Sequence, residues 1–270
     1  QSTNTDLPKH FSVICVVGSR GSGKTALITQ LLKQYEGTVV CPKSKCTMDS
    51  EYVVCSPTIH QNESYFSVLT GLKHMYSDMD DEEIHAMTSR IDHEKFEWEE
   101  YDHYKAIYKK ILKSSNPDKY IASLDPVTRN YFEKNDFNPP EPPRKNKYVT
   151  YMICDDVVGT DLLSSRKTHA FKNLVIKSRH HGIIVILCVQ ALKEIPKSIR
   201  MNVSCYCLGK YAQPKVVTDF HEECCGDVPF GDFERMYNDV HQNDFSFLCI
   251  DHSKPKKDRF SDSFRYKLVV

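Results

Sequence analysis

FSVICVV (Phe11–Val17) running into GSRGSGKT (Gly18–Thr25), and on into KTALITQLLKQY (Lys24–Tyr35), sets the architecture of the chain. The first segment is short, apolar and rich in β-branched residues, and a glycine-rich turn comes at once after it. It reads as a buried strand of a parallel sheet. Lys24–Tyr35 sets Leu27, Ile28, Leu31 and Leu32 at helical spacing, which predicts an amphipathic helix. Glu36-Gly37 closes that helix, and Thr38–Cys41 reads as a second short strand.

The turn itself fits G-x-x-x-x-G-K-[ST] at every position. Its glycines permit a tight turn that aims backbone N–H groups inward at phosphate oxygens, and the helix after it adds its positive end. Gly18, Ser19, Arg20, Gly21, Ser22, Gly23, Lys24 and Thr25 are therefore the candidate binding residues for a nucleoside triphosphate. Lys24 is expected on the β- and γ-phosphates and the Thr25 hydroxyl on Mg²⁺.

Further along, Tyr148–Asp155 (YVTYMICD) and Gly182–Val189 (GIIVILCV) read as buried strands, Ser164–Arg179 as a helix, and Val203–Gly209 and Asp244–Ile250 as further strands. Strands alternating with helices indicate an α/β domain with a mainly parallel sheet. The middle of the chain differs. Met79–Ser114 is charged, aromatic and helical in pattern, and Asn135–Lys147 (NDFNPPEPPRKNK) carries four prolines and reads as a linker or loop. This divides a single domain into a core of about 8–55 and 148–270 and a largely helical insertion of about 56–147.

A P-loop enzyme needs a carboxylate near Mg²⁺ at the end of a neighbouring strand. Asp155 stands there and is the candidate to hold the metal through water, while Asp156 is the candidate to polarise the attacking water. Gln190, at the end of IIVILCV, is placed to contact both the γ-phosphate and that water. Arg179, in KSRHHGI, reads from position alone as a surface salt bridge; arginine in such a place also stabilises a transferring phosphoryl group, including that of a neighbouring subunit.

Other clusters are less specific. Cys41, Cys46 and Cys55, or Cys205, Cys207, His221, Cys224 and Cys225, supply zinc-ligand types, but neither set has paired C-x2-C spacing, and free buried thiols are the expected state. Arg144–Lys147, Lys193–Arg200 and Lys254–Arg259 are the local basic segments available for phosphate contact. The 36 Lys+Arg residues balance 36 Asp+Glu, so net charge announces no nucleic-acid partner. A hydrophobic content of 40% supports a globular core. No apolar run approaches the roughly 20 residues of a membrane span. Gln1–Lys9 is polar and without an apolar signal core, and the buried setting of several of the eleven cysteines favours a reducing compartment.

With Asp155-Asp156, Arg179 and Gln190 in place, the order GSRGSGKT, YMICDD, SRHHGI, IIVILCVQ and IPKSIRMN resembles that of the poxvirus-type DNA-packaging ATPases of large DNA viruses, within the FtsK/HerA superfamily. The match covers about 8–41 and 148–210, a little under half the chain. The resemblance implies a RecA-like core, an oligomeric ring, Mg²⁺-dependent ATP hydrolysis, and translocation of double-stranded DNA into a capsid, with a capsid or portal protein as a further partner. It places the chain in the host cytoplasm at viral assembly sites or in the virion. It makes Lys24 and Thr25 Walker A, Asp155 Walker B, and Arg179 a trans-acting finger; Asp156 stands where cellular members carry Glu. The long insertion and the Pro-rich stretch depart from the pattern. The competing reading is a P-loop nucleoside or small-molecule kinase, although the acidic middle segment lacks an Arg-rich lid. A guanine-selective switch would need N-K-x-D, and Asn146-Lys147-Tyr148-Val149 lacks the acid.

Overall fold

The computed structural model describes residues 7–9, 11–36, 47–163 and 169–268. Its elements run β1 (Val13–Val17), α1 (Lys24–Tyr35), β2 (Asp49–Cys55), α2 (Ile59–Phe66), β3 (Leu72–Tyr76), α3 (Asp81–Lys113), α4 (Pro117–Ala122), α5 (Pro126–Lys134), β4 (Tyr148–Asp155), α6 (His169–His181), β5 (Ile183–Val189), α7 (Lys197–Arg200), β6 (Cys205–Leu208), α8 (Pro214–Cys224), α9 (Phe230–Val240), β7 (Leu248–Asp251), β8 (Phe260–Asp262) and β9 (Tyr266–Lys267). Among the described residues the strands form one sheet in the order β3-β2-β4-β5-β1-β6-β7-β8-β9. Pairing is parallel from β3 to β6 and antiparallel from β6 to β9. The expected α/β class and mainly parallel sheet are present. The P-loop strand β1 and the acid-bearing strand β4 are separated by one strand, β5, which is the RecA-like arrangement.

The continuous apolar runs result from this position. Every residue of β1 and β5 is buried, because strands covered on both faces leave no side for polar residues. Ile14 and Val16 share a core cluster with Leu27, Ile28, Leu31 and Leu32 of α1. At about 1.5–3 kcal/mol for each fully buried aliphatic side chain, this contact is a main anchor of α1 on the sheet. Tyr52 and Tyr151, on adjacent strands, stack at 5.4 Å between centroids in the same cluster. Helix α6 presents Phe171, Leu174, Val175 and Ser178 as its buried stripe.

Two compact units are distinguishable: Gln1–Ala86 with Tyr148–Val270, and Met87–Lys147. The second unit begins at Met87, not near residue 56. Residues 56–86 include β3, which pairs with β2 in the sheet and so belongs to the first unit. Within the second unit α4 and α5 start on Asn116 and Asp125 N-caps, each with proline directly after it, and the caps accept from the N–H groups of Lys119 and Thr128. Residues 138–147 are irregular, as their prolines require.

Thr38–Cys41, expected as a strand, lies outside the described residues, as does the start of the helix expected from Ser164; α6 is described from His169. The strand expected from Asp244 begins only at Leu248, because Phe245 has φ 60°, outside the extended region. The strand expected over Val203–Gly209 spans Cys205–Leu208. No described helix is long and apolar enough to cross a membrane.

Candidate active site

The carboxyl ends of β1, β5 and β4 meet at one level. Val17 is in register with Val189, and Asp155 with Cys188. The loop after β1 is fastened to β5 at once, since the Gly18 N–H donates to the Val189 carbonyl at 3.1 Å. Gly21 and Gly23 adopt φ 76° and 91°, which residues with a Cβ rarely do. A Cβ on Gly18 would stand 2.5 Å from Ser22 Oγ, so a larger residue there would displace the Ser22 hydroxyl. The ammonium of Lys24 donates to the carbonyls of Gly18 and Ser19 at 2.9 and 3.1 Å, which folds it over the loop.

Opposite, the Thr25 hydroxyl donates to Asp155 Oδ2 at 3.3 Å, joining the first turn of α1 to the end of β4. Asp155 is buried. Burial raises its carboxyl above the ordinary value; the Thr25 hydrogen bond and Lys24 oppose this, and Asp156 adds to it. A hydroxyl and a carboxylate side by side are hard oxygen donors of the kind Mg²⁺ prefers, so these residues fit that ion.

Asp156 turns out of the strand with φ 55°, and its N–H donates to the Cys188 carbonyl at 3.1 Å. Its Oδ1 accepts from Gln190 Nε2 at 3.0 Å. Gln190 is held in turn. Its N–H and that of Ala191 donate to the Glu194 carboxylate at 3.1 and 2.9 Å, and its carbonyl accepts from the Tyr211 hydroxyl. Burial keeps the Tyr211 phenol protonated, as that donation requires.

These groups border a cleft of about 820 Å³. Arg20, Gly21, Ser22, Gly23, Lys24, Thr25, Asp155, Asp156 and Gln190 line it, while Gly18 and Ser19 form the base on which Lys24 rests. Arg179 does not line it. It is exposed in the last turn of α6, before the amino end of β5, whereas Gln190 comes after the carboxyl end. Seven strand residues at about 3.3 Å each separate the two by roughly 20 Å. Sequence reasoning did not find Gln30, Phe245 and Arg265, which also line the cleft. Phe245 and Arg265 come from turns whose left-handed backbone has no sequence signature.

The basic segments are largely engaged within the chain. Lys193 pairs with Asp219, Arg200 with Glu223, and Arg259 with Asp227, at 2.6 to 2.8 Å. In the second unit Arg144 pairs with Glu94 and Lys147 with Asp102. Among the described residues no three His, Cys, Asp or Glu side chains gather as a metal site. His221 Nε2 is bonded to the Val228 carbonyl, and Cys207 Sγ lies 3.2 Å from Cys249 Sγ across two strands. Cys41 and Cys46 lie outside the described residues.

No protein-family model matches the chain, and no curated protein matches it by sequence. Among solved structures it is similar to B204, the DNA-packaging ATPase of Sulfolobus turreted icosahedral virus, at 11% identity over 97% of this chain and 99% of that one, with a TM-score of 0.49. The B204 genome-packaging NTPase of Sulfolobus turreted icosahedral virus 2, in complex with ATP-gammaS, is 12% identical over 96% and 98%, with a TM-score of 0.47. The cytoplasmic domain of the type VII secretion ATPase EccC of Thermomonospora curvata is 15% identical over 95% of this chain and 25% of that one, with a TM-score of 0.45. All three are distant.

Proposed function

We propose that the chain is a Mg²⁺-dependent ATPase of the FtsK/HerA type that translocates double-stranded DNA, and that it packages DNA into a viral capsid. The observation that carries the hydrolytic part is the pairing of two carboxylates with two partners in one cleft: Asp155 with the Thr25 hydroxyl, and Asp156 with the Gln190 amide. The DNA-packaging part is supported by the order of motifs along the sequence.

In this reading the P-loop N–H groups and the Lys24 ammonium, released from the Gly18 and Ser19 carbonyls, hold the β- and γ-phosphates. Thr25 and Asp155 hold Mg²⁺, which when bound neutralises charge on the phosphate oxygens. Asp156, oriented by Gln190, accepts a hydrogen bond from the water in line with the γ-phosphate. Gln190 loses or regains that arrangement as the phosphate leaves, and its backbone ties to Glu194 and Tyr211 pass the change to residues 191–211. Arg179 is far from the cleft of its own chain, which supports its delivery to a neighbour's cleft in a ring. Double-stranded DNA, further copies of this chain, and a capsid or portal protein are the proposed partners, in host cytoplasm or the virion.

The test is the rate of ATP hydrolysis with and without double-stranded DNA, together with the solution mass. The expected result is a DNA-stimulated ATPase in a ring-sized assembly. A monomer indifferent to DNA would end the motor reading, and phosphoryl transfer to a nucleoside without hydrolysis would favour a kinase. Mixing the inactive variants Lys24→Ala and Arg179→Ala should restore part of the activity, because some interfaces then combine an intact P-loop with an intact finger. Failure of the mixture would remove Arg179 from the site.

A further inference from the structure

The wall of the cleft beyond the P-loop is supplied by two turns that no motif marks. One precedes β7 and contains Phe245; the other joins β8 to β9 and contains Arg265. Phe245 is 72% exposed, which is unusual for a large apolar ring in a chain that buries most of its phenylalanines. Its backbone is left-handed at φ 60°, a region that bulky side chains seldom adopt. The ring is held against the P-loop: its Cδ1 and Cβ lie 3.3 and 3.4 Å from the position a Cβ on Gly23 would take. A flat apolar surface is thus fixed at the rim of the loop with most of its area open.

Arg265 is located by a different contact. Its Nη2 donates to Gln30 Oε1 at 2.8 Å. Gln30 lies about one and a half turns along α1 from Thr25, a rise of roughly 7.5 Å. The guanidinium is thereby kept away from the helix end where anions gather. The cleft has a phosphate-binding end at Gly18–Thr25 and a second end with a ring face and a planar cation.

We propose that Phe245 and Arg265 form the nucleobase end of the cleft. The Phe245 ring is a stacking face for the purine, and Arg265 offers hydrogen-bond donors to the sugar and base edge. This rests on the reading of Gly18–Thr25 as a triphosphate cradle. Base–aromatic stacking tolerates any base but gains most from a purine, whose area is largest.

Binding of a non-hydrolysable ATP analogue and of inorganic tripolyphosphate to the full chain separates the two claims. Wild type should bind both. Phe245→Ala should weaken the ATP analogue about tenfold, the lower part of the range for loss of one base stack, and leave tripolyphosphate within about twofold. Phe245→Trp should restore analogue binding. Arg265→Gln should lower analogue affinity about threefold, again sparing tripolyphosphate. Retained tripolyphosphate binding also reports that each variant is folded. The proposal is overturned if Phe245→Ala binds the analogue as wild type does, or if both ligands weaken together. A wild-type chain that binds neither ligand would instead remove the cradle itself.

Discussion

In the first unit β1 and β5 are buried at every residue, and the polar chemistry gathers at the carboxyl ends of β1, β4 and β5 and the start of α1. The second unit is organised around rings. Phe132 is wholly buried among Tyr104, Ile111 and their partly covered neighbours, with Tyr104 and Tyr131 stacked at 3.6 Å. Its charged groups pair near the surface, as Arg144 does with Glu94. A sheet covered on both faces holds its strand ends to the small tolerances that catalytic oxygens need. A small cluster centred on one phenylalanine offers no such row of fixed ends, and its integrity depends on few side chains.

The largest effect expected is on the P-loop. Lys24→Ala should reduce ATP turnover by about 10²–10³ or more, the range for loss of one preorganised electrostatic group, with stability little changed. Retained turnover would break the assignment of chemistry to the first unit. Asp155→Asn should also abolish Mg²⁺-dependent turnover, yet it should raise the melting temperature of the nucleotide-free chain at pH 7. Burial raises the Asp155 carboxyl, so the folded chain binds its proton more readily than the unfolded chain does. Stability from this group therefore falls as pH rises between its ordinary value of 3.8 and its raised folded value, and stays lowered above that window. The advantage of Asn should disappear as pH is brought down through the window. Melting curves at several pH values check this, and no stabilisation at pH 7 would refute it.

Phe132→Ala tests the other side of the comparison. A buried Phe truncated to Ala costs about 3–5 kcal/mol. Hydrogen exchange should quicken across Met87–Lys147 while nucleotide affinity is preserved; loss of both together would mean that the units are not separable. Gly23→Ala should cost about 1–3 kcal/mol, because its φ of 91° is unfavourable with a Cβ and the new atom meets Phe245. Denaturant midpoints would read that loss. Arg144→Ala, which removes a half-exposed ion pair, should cost under about 1 kcal/mol and even less in high salt.

Legibility in the sequence divides along the same line. Strands buried on both faces write themselves as unbroken apolar runs, so β1, β4 and β5 were legible, and the side chains at their ends, Lys24, Thr25, Asp155, Asp156 and Gln190, share one cleft. Strand β2 was not legible. Its Ser50 and Glu51 interrupt the apolar pattern, and only the fold reveals the setting of the buried carboxylate: the Thr150 hydroxyl donates to its Oε2 at 2.7 Å, and His74 Nε2 stands 3.3 Å from its Oε1. Phe245 and Arg265 escaped notice because left-handed turns at ordinary residues have no compositional mark. Arg179 is a different case. It is exposed and does not line the cleft of its own chain, so the role proposed for it needs a neighbouring copy.

The position of β1 has a consequence for the birth of the molecule. Val13 pairs with Val185, and Ile14 with Cys205. β1 therefore waits for both of its neighbours while the roughly 190 residues up to Cys205 are made, roughly ten to forty seconds at about 5–20 residues per second. Over that delay VICVV is a bare apolar β-segment, the kind of surface that chaperones bind and that aggregates when they do not. The glycine loop after it gains its anchor on Val189 no sooner. In the proposed reading, a bound nucleotide stabilises the finished sheet but has no preformed loop with which to seed it.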